Sequence, residues 1–173
     1  MYAAPFHYSL FPINLYKSNE LIKIDYPPYK PSIKTVDNTD FIFDSFRKKW
    51  LVLTPEEWVR QNFISYLVEV LRYPASLIAI EKEIKVGAVI KRFDIVVYNR
   101  LTLPYMVVEC KEMNVTLNEK VLHQVLHYNT NMQAEYVVIT NGSYCYGFKR
   151  MGERFEEVNV LPAFDEGFKG LGV

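Results

Sequence analysis

Cysteine is scarce. Only Cys110 and Cys145 occur in 173 residues, which excludes a disulfide-built scaffold, and a chain of this length buries a core without such staples. An excess of one charge sign is missing too. Lys plus Arg and Asp plus Glu are 20 each, so a protein that coats nucleic acid through bulk positive charge is excluded, there being no surplus of cations to release counterions. No apolar run approaches the roughly 18 residues that span a bilayer. The opening Met1-Tyr2-Ala3-Ala4-Pro5-Phe6-His7 has neither the basic nor the apolar stretch of a secretory signal. The sequence has no internal repeat, low-complexity tract or Gly/Ser linker. These absences lead us to expect a soluble cytoplasmic protein with reduced thiols and no membrane partner.

What is present is apolar and aromatic. Hydrophobic residues make up 50%, aromatics 15% and charged residues 23%. That is the balance of a globular domain, since a disordered chain is poorer in apolar residues and richer in charge. The length fits one domain.

Prolines 5, 12, 27, 28 and 31 punctuate the first fifty residues and break both helices and interior strands. We expect residues 1–50 to form an extension packed on the core, with short strands near 21–25 and 41–43, and residues 51–173 to form that core. Thr54-Pro55-Glu56-Glu57 predicts a helix start: Thr54 as cap, Pro55 at the first helical position and Glu57 closing a capping box. Val59, Phe63, Leu67, Val70 and Leu71 then recur at helical spacing up to Tyr73-Pro74. Val-, Ile- and Tyr-rich stretches at 77–86, 91–98 and 105–111 predict three strands, and a second helix is expected over about 117–131. Another strand at 135–140 meets Asn141-Gly142, the strongest short hairpin signal, and a last hairpin turns near Met151-Gly152-Glu153. The order predicts an α/β protein with a mixed central sheet flanked by helices.

The chemistry concentrates between Asp94 and Lys111. A period of two places Phe93, Ile95 and Val97 on one strand face and Asp94, Val96 and Tyr98 on the other. In the next strand Val107, Glu109 and Lys111 oppose Met106, Val108 and Cys110. Adjacent strands would then set Asp94, Glu109 and Lys111 on one side of the sheet. Charges late in apolar strands are costly without a partner or a metal. Two carboxylates suit Mg²⁺, a metal polarises a phosphoryl oxygen and activates water, and an ammonium can orient that water or neutralise developing charge. The plainer reading is an Asp94–Lys111 salt bridge with Glu109 as a strand-end charge, and the bare spacing alone favours it. Glu83-Ile84-Lys85 repeats Glu-x-Lys, but no Asp lies between Asp44 and Glu83 to complete it. Its neighbours Glu81, Lys82, Glu83 and Lys85 read as a solvated face. Further on, Gln124 and Tyr128 stand four apart on one helical face.

Asp94, Glu109-Cys110-Lys111 and Gln124-x-x-x-Tyr128, in this order, resemble the PD-(D/E)xK nuclease superfamily. More closely, the chain is similar to the N-terminal nuclease domain of type I restriction enzyme HsdR subunits, in a small stand-alone bacterial form. The stretches that carry the likeness are Arg47-Lys48-Lys49, Leu53-Thr54-Pro55-Glu56-Glu57-Trp58-Val59-Arg60-Gln61, Arg92-Phe93-Asp94-Ile95-Val96-Val97-Tyr98, Val107-Val108-Glu109-Cys110-Lys111 and Val138-Ile139-Thr140-Asn141-Gly142. The resemblance implies a restriction-endonuclease-like αβββαβ core. It also implies Mg²⁺ or Mn²⁺ held by Asp94, Glu109 and the Cys110 backbone carbonyl, with Lys111 serving the attacking water. Gln124 and Tyr128 would brace the site, and Glu57 would be an acidic helix residue near the metal, competing with its capping role; Gln61 could share that face. The family's usual Ala-Pro after the lysine is Glu112-Met113 here.

The function so implied is metal-dependent hydrolysis of DNA phosphodiester bonds. The alternative is a non-catalytic nuclease-fold module that binds nucleic acid or a partner. No Gly-rich phosphate loop is present, so an ATP-driven motor is not expected in this chain. It would act as a homodimer or beside a helicase, translocase or methyltransferase subunit. Arg47-Lys48-Lys49, Lys91 and Arg92 are candidate DNA contacts, with an ordinary solvated surface as the rival reading. His123 and His127 have zinc-compatible spacing but no third ligand, and Cys110 and Cys145 read as small buried hydrophobes.

Overall fold

A computed structural model of the chain describes residues 21–86, 89–118, 122, 125–126, 133–152 and 154–164. Among them, seven strands form one mixed sheet and three form a second, smaller one. The first strand, β1, spans Ile22–Lys23. The small sheet is a meander of β2 (Ile33–Val36), β3 (Thr39–Asp44) and β4 (Lys49–Val52). Helix α1 (Pro55–Glu69) follows, then a 3-10 turn, then β5 (Ile78–Val86), β6 (Val89–Tyr98) and β7 (Pro104–Cys110). After the connection come β8 (Tyr136–Thr140), β9 (Tyr144–Met151) and β10 (Arg154–Val158). The order across the large sheet is β1-β9-β8-β7-β6-β5, and β10 also pairs with β9. The β7–β8 pair is parallel and the others are antiparallel. A parallel pair needs a long crossover, and the expected second helix falls within it. Its residues Leu122, Val125 and Leu126 are helical and buried, and most of the rest lies outside the described residues.

Local chemistry explains the helix start. The Thr54 hydroxyl accepts the Glu57 N–H at 3.0 Å and Pro55 occupies the first turn. One side of α1 then buries Val59, Phe63, Ile64 and Leu67 against Ile95, Val97, Met106, Val108 and Cys110 of the sheet. Each such side chain contributes about 1.5–3 kcal/mol by leaving water. The helix ends at Glu69 rather than near Tyr73, so Val70 is its cap and stands exposed, against the expectation that it lines the core; Leu71 is buried. The opposite sheet face buries Val96, Val107, Val137, Ile139 and Phe148 with Leu122, Val125 and Leu126.

The strict alternation expected along 92–98 does not hold. Ile95 and Val97 face α1, but Phe93 packs with Val96 and Val107 on the other side. The partner strand changes sides at the same level: Ile78 and Ile80 pack toward α1, and Ile84 toward the opposite cluster. Between them Glu81 takes a left-handed backbone, φ 50°, unusual for a residue with a side chain. The hairpin therefore turns over at Glu81 and Asp94 while its register is kept on both sides. The turn after β8 behaves as its sequence predicts. Asn141 accepts the N–H groups of Ser143 and Tyr144, and Gly142 has φ 92°.

A Cβ on Gly142 would lie 3.0 Å from Val59 Cγ2, on a backbone that L-residues avoid. Gly142→Ala should cost about 1–2 kcal/mol, read as a lowered urea midpoint with an unchanged slope.

Candidate active site

Asp94 sits where β6 and β7 part. Their ladder runs as far as Ile95 opposite Val108. Beyond it the Cys110 N–H donates to Asp94 Oδ2 at 2.8 Å instead of to a backbone carbonyl. On its other edge β7 stays joined to β8, and the Lys111 N–H donates to the Thr140 carbonyl at 2.8 Å. A splayed strand end is thus held open by one carboxylate, and Glu109 and Lys111 stand on its rim, with Lys111 Nζ 2.9 Å from Glu109 Oε1.

The expected Asp94–Lys111 salt bridge is not the pairing found. Asp94 Oδ1 receives Arg60 Nη2 of α1 at 2.9 Å, and Lys111 pairs with Glu109. The same Arg60 nitrogen is 3.0 Å from Glu56 Oε1, and its other terminal nitrogen donates to Glu57. Arg60 is 5% exposed. Burial works against its charge, yet Asp94 and Glu57 outweigh it and hold the guanidinium more firmly protonated than usual.

Glu57 faces inward. Its carboxylate accepts Arg60, Arg47 Nη2 at 2.9 Å and Gln61 Nε2 at 2.7 Å. Only half of the expected capping box forms, because the Thr54 N–H donates to the Val52 carbonyl instead of to Glu57. Arg47 reaches three carboxylates, those of Asp44, Glu57 and Glu81. Its guanidinium is therefore engaged within the protein, where the sequence reading had it as a surface contact for DNA. Glu81 likewise departs from the solvated face expected of it. Lys48, Lys49 and Arg92 are exposed, and Arg92 Nη1 lies 3.7 Å from Glu81 Oε1. Gln124, Tyr128, His123 and His127 lie outside the described residues, as does the side chain of Lys91.

Sequence reading missed Glu56 and Arg60 as members of this cluster. Their i,i+4 spacing was visible, and so was an arginine inside the apolar helical stripe, a position that demands a buried partner. Burial raises the Glu56 pKa, and the negative charge of Asp94 adds to it. For Lys111 burial acts downward, but the hydrogen bond and charge of Glu109 prevail and the ammonium is held above its usual range. At neutral pH Lys111 is a cation and a donor, and it has no lone pair to take a proton. Cys110 faces α1 beneath the site. It is fully buried, and desolvation pushes its thiol well up, so it is a packing residue. Burial pushes Cys145 up to about 12.

The donor chemistry fits a hard divalent ion in part. Asp94 and Glu109 are oxygen ligands of the right kind. Among the described residues, no group of three or more His, Cys, Asp or Glu side chains is arranged to hold a metal ion.

A family model described as the type I restriction enzyme R protein N terminus matches residues 55–162, from the first residue of α1 to beyond β10. The chain belongs to this family. No curated protein matches it. Membership in the type I restriction enzyme R protein N-terminal family gives the chain a nuclease-related role, and its mixed sheet has the restriction-endonuclease-like order. Among the described residues no helix is long and apolar enough to cross a membrane. The match takes in Glu56, Glu57, Arg60, Asp94, Glu109 and Lys111 together. Asp44 and Arg47, which complete the buried ion network, precede it.

Two measurements probe this network. Removing Arg60 leaves the part-buried Asp94 without its counter-ion and Glu57 with Arg47 alone, so Arg60→Met should cost about 3 kcal/mol in urea unfolding, and Arg60→Lys should recover only part of it. Burial alone would raise the Asp44 pKa, but the Arg47 backbone N–H and guanidinium dominate and hold it below the usual value. A carboxyl depressed on folding stabilises fully above its unfolded pKa of about 3.9 and loses that contribution as pH falls through the folded one. The acid limb of stability below about pH 4 should therefore flatten in Asp44→Asn, measured by thermal melts across pH.

Proposed function

We propose that the chain is a metal-dependent DNA nuclease that hydrolyses phosphodiester bonds. The observation that carries this reading is the juxtaposition of Asp94, Glu109 and Lys111 where the end of β7 parts from the middle of β6 in a chain of this family. Asp94 and Glu109, with the Cys110 backbone carbonyl, would hold Mg²⁺ or Mn²⁺, and the bound ion supplies Lewis acidity to the phosphoryl oxygen and to water. Lys111, cationic at neutral pH, neutralises charge building on the phosphate or holds the attacking water by donating to it. Arg60 orients Asp94 from behind and offsets its charge. Glu56, its pKa raised in part by the negative charge of Asp94, is the acidic residue of α1 best placed to feel an added cation. In the family's setting the partner is DNA, met beside a helicase, translocase or methyltransferase subunit or as a homodimer. Gln124 and Tyr128 are proposed to brace the site from the second helix.

One observation favours a second reading, a nuclease-fold module that binds without cutting. Both Asp94 oxygens already have protein partners, Arg60 and the Cys110 N–H. Calorimetric titration with Mn²⁺ separates the two. The nuclease reading expects binding that is lost in Glu109→Gln, and the second expects none in either protein.

The direct test is cleavage of duplex, single-stranded and branched DNA by purified protein with Mg²⁺ or Mn²⁺. Lys111→Ala should lower the rate about 100-fold or more at unchanged stability. Equal cleavage by the variant would assign the activity to a contaminant.

A further inference from the structure

The small sheet has an outward face with an unusual make-up. Register places Lys34, Phe41 and Val52 side by side across its three strands, and Phe43 beside Trp50 in the next row. Cross-strand partners share a face. On the opposite face Ile42 and Asp44 of the central strand are fully buried while Ile33 is exposed, so at the level of Phe41 and Phe43 the face with the rings looks outward. Trp50 is 39% and Val52 50% exposed. The Phe43 and Trp50 rings stand 5.3 Å apart, tilted by 59°. Lys34 Nζ lies 4.4 Å from the Trp50 ring centroid and 5.9 Å from that of Phe41. Lys34 is the only charged strand residue on this face; Lys49, the register partner of Asp44, belongs to the opposite one, and Lys48 is exposed just before the last strand at the end where Phe43 and Trp50 sit. The acidic residues of the central strand are kept off it: Asp40 and Asp44 point to the other side.

Rings interleaved with cations, without carboxylates, suit a ligand that offers flat π-faces at intervals along a chain of negative charge. A second copy fits poorly. A two-fold contact uses the same face on both copies, so it would bury two Lys34 ammoniums with no carboxylate on either face to meet them. A purely apolar partner would bury the Lys34 ammonium unpaired. A duplex keeps its bases stacked on each other and cannot offer their faces.

We propose that this face, built from Lys34, Phe41, Phe43 and Trp50, is a platform for single-stranded nucleic acid. Bases stack on the rings, and Lys34, with Lys48 at the turn, meets the backbone phosphates. Lys34 now lies over Trp50 as a cation–π pair; on binding its long stem lets the ammonium swing to a phosphate while a base takes its place. Arg47, in the β3–β4 turn at the Trp50 end, reaches Glu57 and Glu81, so the platform is tied rigidly to the Asp94 region. Its binding stands apart from any cleavage there, and the platform lies outside the stretch matched by the family model.

The test is fluorescence anisotropy of labelled oligo(dT), oligo(U) and a duplex, each of about 12 nucleotides, with wild-type protein in EDTA so that no metal-dependent cleavage intervenes. Both single strands should bind, and bind more tightly than the duplex. Trp50→Ala should weaken them about tenfold or more, and Trp50→Tyr should restore most of that. Lys34→Gln, an exposed change, should fold normally and lower the salt slope of log affinity by about 0.7. Absence of single-strand binding by the wild type, or equal binding by Lys34→Gln and Trp50→Ala with an unchanged salt slope, overturns the proposal. So does a concentration-dependent dimer in sedimentation that Lys34→Gln strengthens, since that assigns the face to a second copy. None of these outcomes bears on cleavage at Asp94, which the metal-dependent assay decides separately.

Discussion

A run of alternating buried charge, Asp44–Arg47–Glu57–Arg60–Asp94, ties three parts of the molecule together. Asp44 and Arg47 belong to the small N-terminal sheet and its turn, Glu57 and Arg60 to the first two turns of α1, and Asp94 to β6. Two guanidiniums face five carboxylates once Glu56 and Glu81 are included. Such a run is a weak source of net stability, because desolvation offsets most of the attraction, but breaking one link strands a buried charge. Its effect is therefore orientation. The planar fork of arginine fixes two or three partners at set angles, which the point charge of lysine would not do.

That constraint accounts for the irregularity in the sheet. Asp94 and Glu81 lie at the level where β5 and β6 exchange faces, and each is drawn toward an arginine, Asp94 to Arg60 and Glu81 to Arg47. With its carboxylate turned toward α1, Asp94 also receives the Cys110 N–H, so β6 and β7 separate there. The opening is where Glu109 and Lys111 come to the rim. A regular pair of strands would have continued its ladder and closed the position.

Much of this was legible in the residues, and the parts that were not share a cause. The α1 start could be read because a Thr cap and a Pro at the first turn act within four residues. The Asn141-Gly142 hairpin could be read because a left-handed glycine is a local requirement. The apolar stripe of α1 gave the layer order, with Val70 misassigned because the helix ends one turn earlier than its periodicity. Glu57 was read as a capping residue or a metal neighbour, and it is a buried ion-pair partner of two arginines. Arg47 was read as a surface cation, and it is the hub of the N-terminal half of the network. Glu56 and Arg60 went unnoticed. Glu56 and Glu57 meet Arg60 within one turn of the helix, but the links that tie the elements together are far apart in sequence: 34 residues separate Arg60 from Asp94, and 34 separate Arg47 from Glu81.

By itself the sequence determined what short-range physics determines: the element order, the mixed α/β class, the core stripes and the set Asp94, Glu109 and Lys111 that carries the resemblance. A strict period of two sets those three on one side of a sheet, and that alternation fails at Phe93. Tertiary structure alone decided which charge answers which, that Asp94 pairs with Arg60 and Lys111 with Glu109, and that Lys34 and Trp50 stand exposed on one face of the small sheet. The physical reason is that periodicity and capping act over a few residues, whereas a buried charge takes whichever counter-ion the packing brings within reach.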